Sequence, residues 1–416
     1  MKHNQRITFS KLISFFLCIV LLLSAGGCKK SEPVSADPLE PPVSAAHLSQ
    51  SGFSEDNFMI PSYGSAEASR PATPFPIHGI YISGPVAGID KMDTFIDMAA
   101  ETELNAFVID IKNDTGEVTY HMNTPMVQEI DSDINYIQDI ETLIQKCKEN
   151  NIYLIARIVA FKDPYLAQAR PDLAIHNADG SVYYDNSGLA WVNPYETEVW
   201  DYLMEIATEA ARLGFDEIQF DYLRFSTDRG MDEVDFGPNA GDKTKTEIIA
   251  EFTQYAHETL SAIPVRLSAD VFGTVIDNRS DQDIVGQNYY ILSTHLDVIC
   301  PMIYPSHYSA GVYNISIPDA EPYETITAAL MASRDALEAH GNGMISSLKD
   351  PDYIPYATVR PWLQAFTATW VNGHIDYTPE EVRAQIQAVY DAGYDEWILW
   401  NAGVNYDAAY FLPNET

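Results

Sequence analysis

From Ile77 onward, short apolar runs rich in β-branched and aromatic residues alternate with longer stretches in which apolar residues recur every three or four positions. The short runs are predicted strands at 77–82, 105–112, 152–160, 216–222, 264–271, 297–304, 357–364 and 395–401. The longer stretches are predicted helices at 91–103, 136–150, 195–213, 244–262, 322–340 and 379–392, with a shorter, less regular connection at 283–293. Alternating strands and helices imply parallel pairing through right-handed crossovers. Eight such units between residues 77 and 412 predict one α/β domain, a (β/α)8 TIM barrel with enlarged loops, and an open doubly wound sheet is the alternative. The joints Gly214-Phe-Asp-Glu-Ile218 and Gly393-Tyr-Asp-Glu-Trp397 stand four strands apart, each directly after a helix that glycine is suited to end. A recurring helix-to-strand turn explains this echo more economically than a half-barrel duplication.

The first 75 residues do not share this rhythm. Lys2, Arg6 and Lys11 lead into an apolar run at 12–23 and then Ala25-Gly-Gly-Cys28, the pattern of a secretion signal. The run is shorter than the roughly 20 residues that a spanning helix needs. Small residues directly before Cys28 resemble a bacterial lipobox, in which cleavage leaves that cysteine as a lipidated N-terminus. The expected organisation is a lipoprotein signal peptide at 1–27, a flexible Pro-, Ser-, Ala- and Glu-containing linker at 28–75 and the barrel at 76–416. The body of the protein is then expected outside the cytoplasm, anchored to the bacterial cell membrane.

Side chains alternate across a strand, so parity separates residues facing the helices from those entering the barrel. Phe107, Ile109 and Ile111 should face outward, with Asp110 and Lys112 inward. Arg157, Gln219, Asp221, Arg266, Ser268 and Asp270 are also inward, and Arg360, Trp362 and Gln364 share a face. The inward residues nearest the strand ends are Lys112, Asp221, Asp270, Tyr304, Gln364 and Trp400, with Asn401 beside the last. They converge on the rim where such barrels collect catalytic groups. Paired carboxylates there suit glycosyl transfer to water: one protonates the leaving oxygen, and the other attacks carbon or activates water. Asp221 and Asp270 are the candidate catalytic pair. Asp110, Lys112, Arg157, Gln219, Tyr304, Trp362, Gln364, Trp400 and Asn401 are the candidate substrate-binding wall.

Several of these residues also have plain structural readings. Asp221 has Arg224 and Arg157 as available partners, and Asp110 with Lys112 reads as an ion pair that shapes the pocket. Arg157 and Arg266 read as neutralising carboxylates deeper in the barrel, and Tyr304 and Gln364 as orienting substrate hydroxyls or as core hydrogen-bonding groups. Trp191, Trp362, Trp370 and Trp400, with Tyr81, Tyr222 and Tyr308, supply flat faces on which a sugar ring can stack, whereas Trp200 and Trp397 read as core. The long third loop, 161–194, should shape a cleft, with His176 and Asp185 in solvated or structural roles and substrate contact as the alternative.

The charge balance, 24 basic against 60 acidic residues for a net −36, argues against a nucleic-acid partner, which needs a basic face. Cys147 and Cys300 read as separately buried thiols, with a disulfide between them as the alternative. No Cys/His spacing suggests zinc and no run matches a calcium loop, so no metal or cofactor is expected.

Seven stretches together resemble a known bacterial family, the putative glycoside hydrolase domain of extracytoplasmic proteins, formerly a domain of unknown function. They are Gly79-Ile-Tyr81, Ala106-Phe-Val-Ile-Asp-Ile-Lys112, Ala156-Arg-Ile-Val-Ala-Phe-Lys-Asp-Pro164, Ala169-Arg-Pro-Asp172, Trp191-Val-Asn-Pro194, Phe220-Asp-Tyr-Leu-Arg-Phe225 and Arg360-Pro-Trp-Leu-Gln-Ala-Phe366. The resemblance implies a TIM-type barrel related to carbohydrate-active enzymes. The resulting expectation is a lipid-anchored glycosidase acting on an extracellular or cell-wall polysaccharide or its oligosaccharides. A non-catalytic glycan-binding lipoprotein on the same scaffold is the alternative, and a metal-dependent hydrolase is weakened by the lack of a His-x-His pair at a strand end.

Overall fold

The computed structural model describes residues 73–348 and 356–414, so the readings made for the signal and most of the linker lie outside the described residues. Eight strand positions form the barrel: β1 His78–Ile82, β2 Ala106–Lys112, β3 Tyr153–Val159, β4 Glu217–Asp221, β5 Arg266–Phe272, β6 Val298–Ile303, β7 in two pieces at Thr358–Val359 and Trp362–Gln364, and β8 Trp397–Trp400. They pair in parallel in that order. β8 joins β1, and β7 pairs with both β6 and β8, which closes the barrel. β2 and β3 are buried along their whole length, as parallel strands covered on both faces must be. The break in β7 falls at Arg360-Pro361, where proline has no N–H to give the ladder.

The outer layer comprises α1 Lys91–Glu101, α2 Ile140–Glu149, α3 Thr197–Leu213, α4 Lys245–Leu260, α5 Arg279–Val285, α6 Tyr289–His295, α7 Pro322–Leu348 and α8 Pro379–Asp391. Local chemistry sets their ends. Thr244 and Thr378 open α4 and α8 with capping boxes, and Gly214, at φ 115°, closes α3 in the left-handed region. The irregular 283–293 connection resolves into α5 and α6, because Asn278 and Asn288 each cap a new helix and Gly286 ends the first. Cys147 and Cys300 are separate, buried free thiols, and Trp200 and Trp397 lie in the core.

Two expectations about charges change. The β2–β3 register shifts between Asp110 and Lys112, so the strand bulges and strict alternation stops there. Lys112 therefore leaves the pocket: its Nζ donates to the Val159 carbonyl at 2.7 Å, pairs with Asp163 at 2.9 Å and lies 5.9 Å from the ring of Tyr202 on α3, with 0% exposure. Neither the Asp110–Lys112 pair nor a substrate contact by Lys112 survives. Deep in the barrel the neutralising cation is Arg360, which donates to Glu217 at 2.7 Å and to Glu396 at 2.8 Å. Arg266 donates instead to the Asp297 carbonyl at 3.3 Å.

Candidate active site

Four neighbouring strands place Asp110, Arg157, Asp221 and Asp270 at the C-terminal end of the barrel. Asp110 and Arg157 are register partners across β2 and β3, and Asp221 is paired with Val159 across β3 and β4. The Arg157 guanidinium bridges two carboxylates. Its Nη1 donates to Asp110 Oδ1 at 2.5 Å, while Nε and Nη2 donate to Asp221 Oδ2 at 3.0 and 2.5 Å. Tyr81 on β1 completes the Asp110 side with an O–H donated to Oδ2 at 2.5 Å. The guanidinium also lies 5.6 Å from the Tyr81 ring and 5.7 Å from that of Trp400, so aromatic faces fix the cation as well as its anions.

Asp221 closes β4 in a strained turn. The next residue, Tyr222, has φ 50°, unusual for a bulky side chain, and from there its N–H donates to Asp221 Oδ1 at 2.6 Å. Both Asp221 oxygens are thereby engaged. Asp270 is in a different environment. The Trp362 indole N–H donates to its Oδ1 at 2.6 Å, and its buried Oδ2 has no hydrogen-bond partner among the described residues. With only 1% exposure, burial pushes its pKa well above the usual carboxylate value, and the Asp221 charge pushes it further. Burial also raises the pKa of Asp110, against the opposing pull of Arg157. Tyr304 stands at the end of β6, its phenol pushed up first by burial and then by the charges of Asp270 and Asp221.

The raised pKa of Asp270 has a consequence for stability. Above its unfolded value of 3.8 the native state binds more protons than the unfolded chain, so this group's contribution is fully present below that pH and is lost as pH rises toward the folded value. Asp270→Asn is therefore expected to raise Tm at pH 7, by roughly 2 °C or more if about 1 kcal/mol is recovered. Its Tm should also be less pH-dependent than that of the wild type above pH ~4. A thermal melt series from pH 4 to 8 checks this, and an unchanged or lower Tm at pH 7 would count against the assignment.

The rest of the candidate wall divides. Trp362 and Trp400 meet edge to face at 5.8 Å and belong to the site with Tyr304 and Arg157. Gln219, two residues before Asp221, sits one layer deeper, fully buried, with its amide 3.4 Å from Cys300 Sγ. Gln364 is fully buried and bracketed by Ser306 N–H, Asp319 and the Phe366 carbonyl, which leaves it holding loops together rather than binding sugar hydroxyls. Asn401 likewise ties the β8 end to Ala365 and Gly403. Arg157, not Arg224, is the partner of Asp221. Tyr81, expected as a stacking face, is buried and acts through its hydroxyl on Asp110, a role that its residue type alone does not announce.

Trp370, 67% exposed, stacks on Phe366 at 6.0 Å, and Phe366 in turn contacts Tyr304, so aromatic faces run from solvent to the carboxylates. Trp191 and Tyr308 are buried and offer no open platform. A cavity of about 540 Å³ opens at the opposite end of the barrel between Phe75, Arg334, Tyr356 and Tyr394. Size alone does not make it the active centre, because the carboxylate with the displaced pKa lies at the C-terminal rim.

Residues 79–406 match the family described as "Putative glycosyl hydrolase domain". The chain belongs to this family. The barrel is similar to the glycoside hydrolase domain of PgaB (BpsB) from Bordetella bronchiseptica, at TM-score 0.55 and 13% identity over 80% of this chain and 97% of that one. It is similar also to α-L-fucosidase isoenzyme 2 from Paenibacillus thiaminolyticus, at TM-score 0.50 and 14% identity over 80% and 47% of the two chains. A hypothetical protein from Ruminiclostridium thermocellum ATCC 27405 is 42% identical over 46% of this chain and 97% of its own, at TM-score 0.43. No curated protein sequence matches. At these identities the two glycosidase structures speak for the fold, and the family membership adds glycosidase-like character.

Proposed function

We propose that the protein is a glycoside hydrolase cleaving O-glycosidic bonds in an extracellular or cell-wall polysaccharide, with Asp270 as general acid and Asp221 as the carboxylate that attacks carbon or activates water. The observation that carries this reading is the contrast between the two groups. Burial and the neighbouring charge favour a protonated Asp270 with an unengaged oxygen, while Asp221 lies in the grip of Arg157 and a backbone N–H. A carboxyl group that favours its proton beside a second one held by hydrogen bonds is what acid-assisted glycosyl transfer requires. Tyr304 beside them and the Trp370–Phe366 shelf supply polar and flat contacts for sugar units. Reducing ends released by the protein from a panel of bacterial extracellular and cell-wall glycans test the proposal, and no release from any of them would sink it.

We also propose that Cys28 is lipidated and holds the domain at the outer face of a bacterial membrane. The basic start, the short apolar run and the small residues before Cys28 support this. Radiolabelled palmitate incorporated into the wild type but not into Cys28→Ser would be the expected result.

The Trp362 hydrogen bond lowers the pKa of Asp270 against the larger effect of burial. Trp362→Phe removes that donor, so the alkaline limb of the kcat/KM profile, set by loss of the acid's proton, should move to higher pH. A limb that stays in place or moves lower would separate Asp270 from proton donation.

A further inference from the structure

Arg224, at the mouth of the barrel, has no carboxylate within salt-bridge distance among the described residues, although Asp221, Asp228 and Asp185 lie close enough to act on its charge. It follows Asp221 by three residues and is half-buried in an aromatic cage, its guanidinium carbon 5.2 Å from the Trp191 ring, 5.0 Å from Tyr222 and 4.4 Å from Phe272. Only one of its five N–H groups is spent, on the Phe225 carbonyl at 2.9 Å, and among the described residues it forms no salt bridge. Burial holds its pKa below the usual arginine value, with Tyr222, Asp221, Asp228 and Asp185 opposing. The Tyr222 ring that touches Arg224 also touches Lys162, whose Nζ lies 4.9 Å from its centroid and 3.6 Å from the half-exposed Asp114.

A guanidinium packed against three rings, with four donors that take no protein acceptor among the described residues, is preorganised to exchange water for a ligand's oxygens. In a chain with 24 basic residues against 60 acidic ones, solubility does not account for two cations on one aromatic ring beside the candidate nucleophile. The cage holds the planar fork rigid, which suits a planar or tetrahedral oxyanion.

We propose that Arg224, assisted by Lys162, binds an anionic substituent of the glycan, a sugar carboxylate or a phosphate ester, close to the bond cleaved at Asp221 and Asp270. The substrate is then an acidic polysaccharide. This rests on the glycosidase reading for the word "cleaved" but not for the anion site itself.

The test uses the whole protein carrying Asp270→Asn to suppress turnover, with calorimetric binding of three matched sets of oligosaccharides: glucuronate-bearing, carboxyl-reduced and phosphorylated. At least one charged set is expected to bind ~10-fold or more tightly than its neutral counterpart. Which charged set is preferred identifies the anion. Adding Arg224→Gln should bring the charged-to-neutral ratio close to 1, Arg224→Lys should restore part of it, and Lys162→Met should narrow it in a protein whose cage is intact. Equal binding of charged and neutral sets, no binding of either, or a preference that persists in Arg224→Gln would overturn the proposal. Reducing-end release by the wild type is measured separately. Anion-dependent binding without release would leave the anion site standing and remove the hydrolase, whereas release with no charge preference would do the reverse.

Discussion

Asp270→Asn is expected to lower turnover of a natural glycan by about 10²–10⁴-fold, the range contributed by a positioned general acid. Asp221→Asn should cost at least as much, since it removes the group that attacks carbon or activates water. The two defects should differ in how they are relieved. An aryl glycoside whose phenol departs without protonation should recover most of the Asp270→Asn loss and little of the Asp221→Asn loss. The reason lies in the environments: Asp270 is buried beside Trp362 with one free oxygen, whereas Asp221 is fully engaged by Arg157 and Tyr222. Equal recovery by both variants would defeat the assignment of roles, and full activity of either on the natural glycan would remove that residue from the chemistry. Stability offers an independent readout, because Asp270→Asn is expected to melt higher at pH 7 while being impaired, so a misfolded variant cannot be mistaken for a catalytic loss.

The eightfold alternation and most of the inward-facing set were legible because parallel strands buried on both faces keep their polar residues for the barrel interior. Parity identified Asp110, Arg157, Asp221, Asp270 and Trp362 correctly as neighbours of one space. It failed at Lys112 because a single bulge resets a period of two, and nothing in Ala106-Phe-Val-Ile-Asp-Ile-Lys112 announces the bulge. Parity puts Gln364 and Asn401 in the substrate-binding wall, with core hydrogen bonding as the other reading for Gln364, and strand-end amides look alike in sequence whether they face solvent or neighbouring loops. Their partners, Ser306, Asp319, Ala365 and Gly403, are set by loop conformation, which local pattern does not encode. The Arg224 cage is likewise assembled from three distant segments, so only the folded chain brings Trp191, Tyr222 and Phe272 together.

The Gly-aromatic-Asp-Glu echo was visible in the sequence, but its physical role was not. Its two glutamates, Glu217 at the start of β4 and Glu396 just before β8, reach across the barrel floor to the same Arg360, which is 0% exposed. Tyr153 adds a hydrogen bond to Glu217 at 3.1 Å. Arg360→Met should therefore destabilise the fold by about 3–5 kcal/mol, the cost of stranding buried charge rather than the net worth of the cluster. The triple variant Glu217→Gln/Arg360→Met/Glu396→Gln should recover most of that loss, because no uncompensated charge remains. Urea unfolding at pH 7 measures both effects. A single-variant loss below ~1 kcal/mol would mean that water reaches the barrel floor, and a triple variant no better than Arg360→Met would mean that packing around Arg360, not its charge, holds the two repeated joints in place.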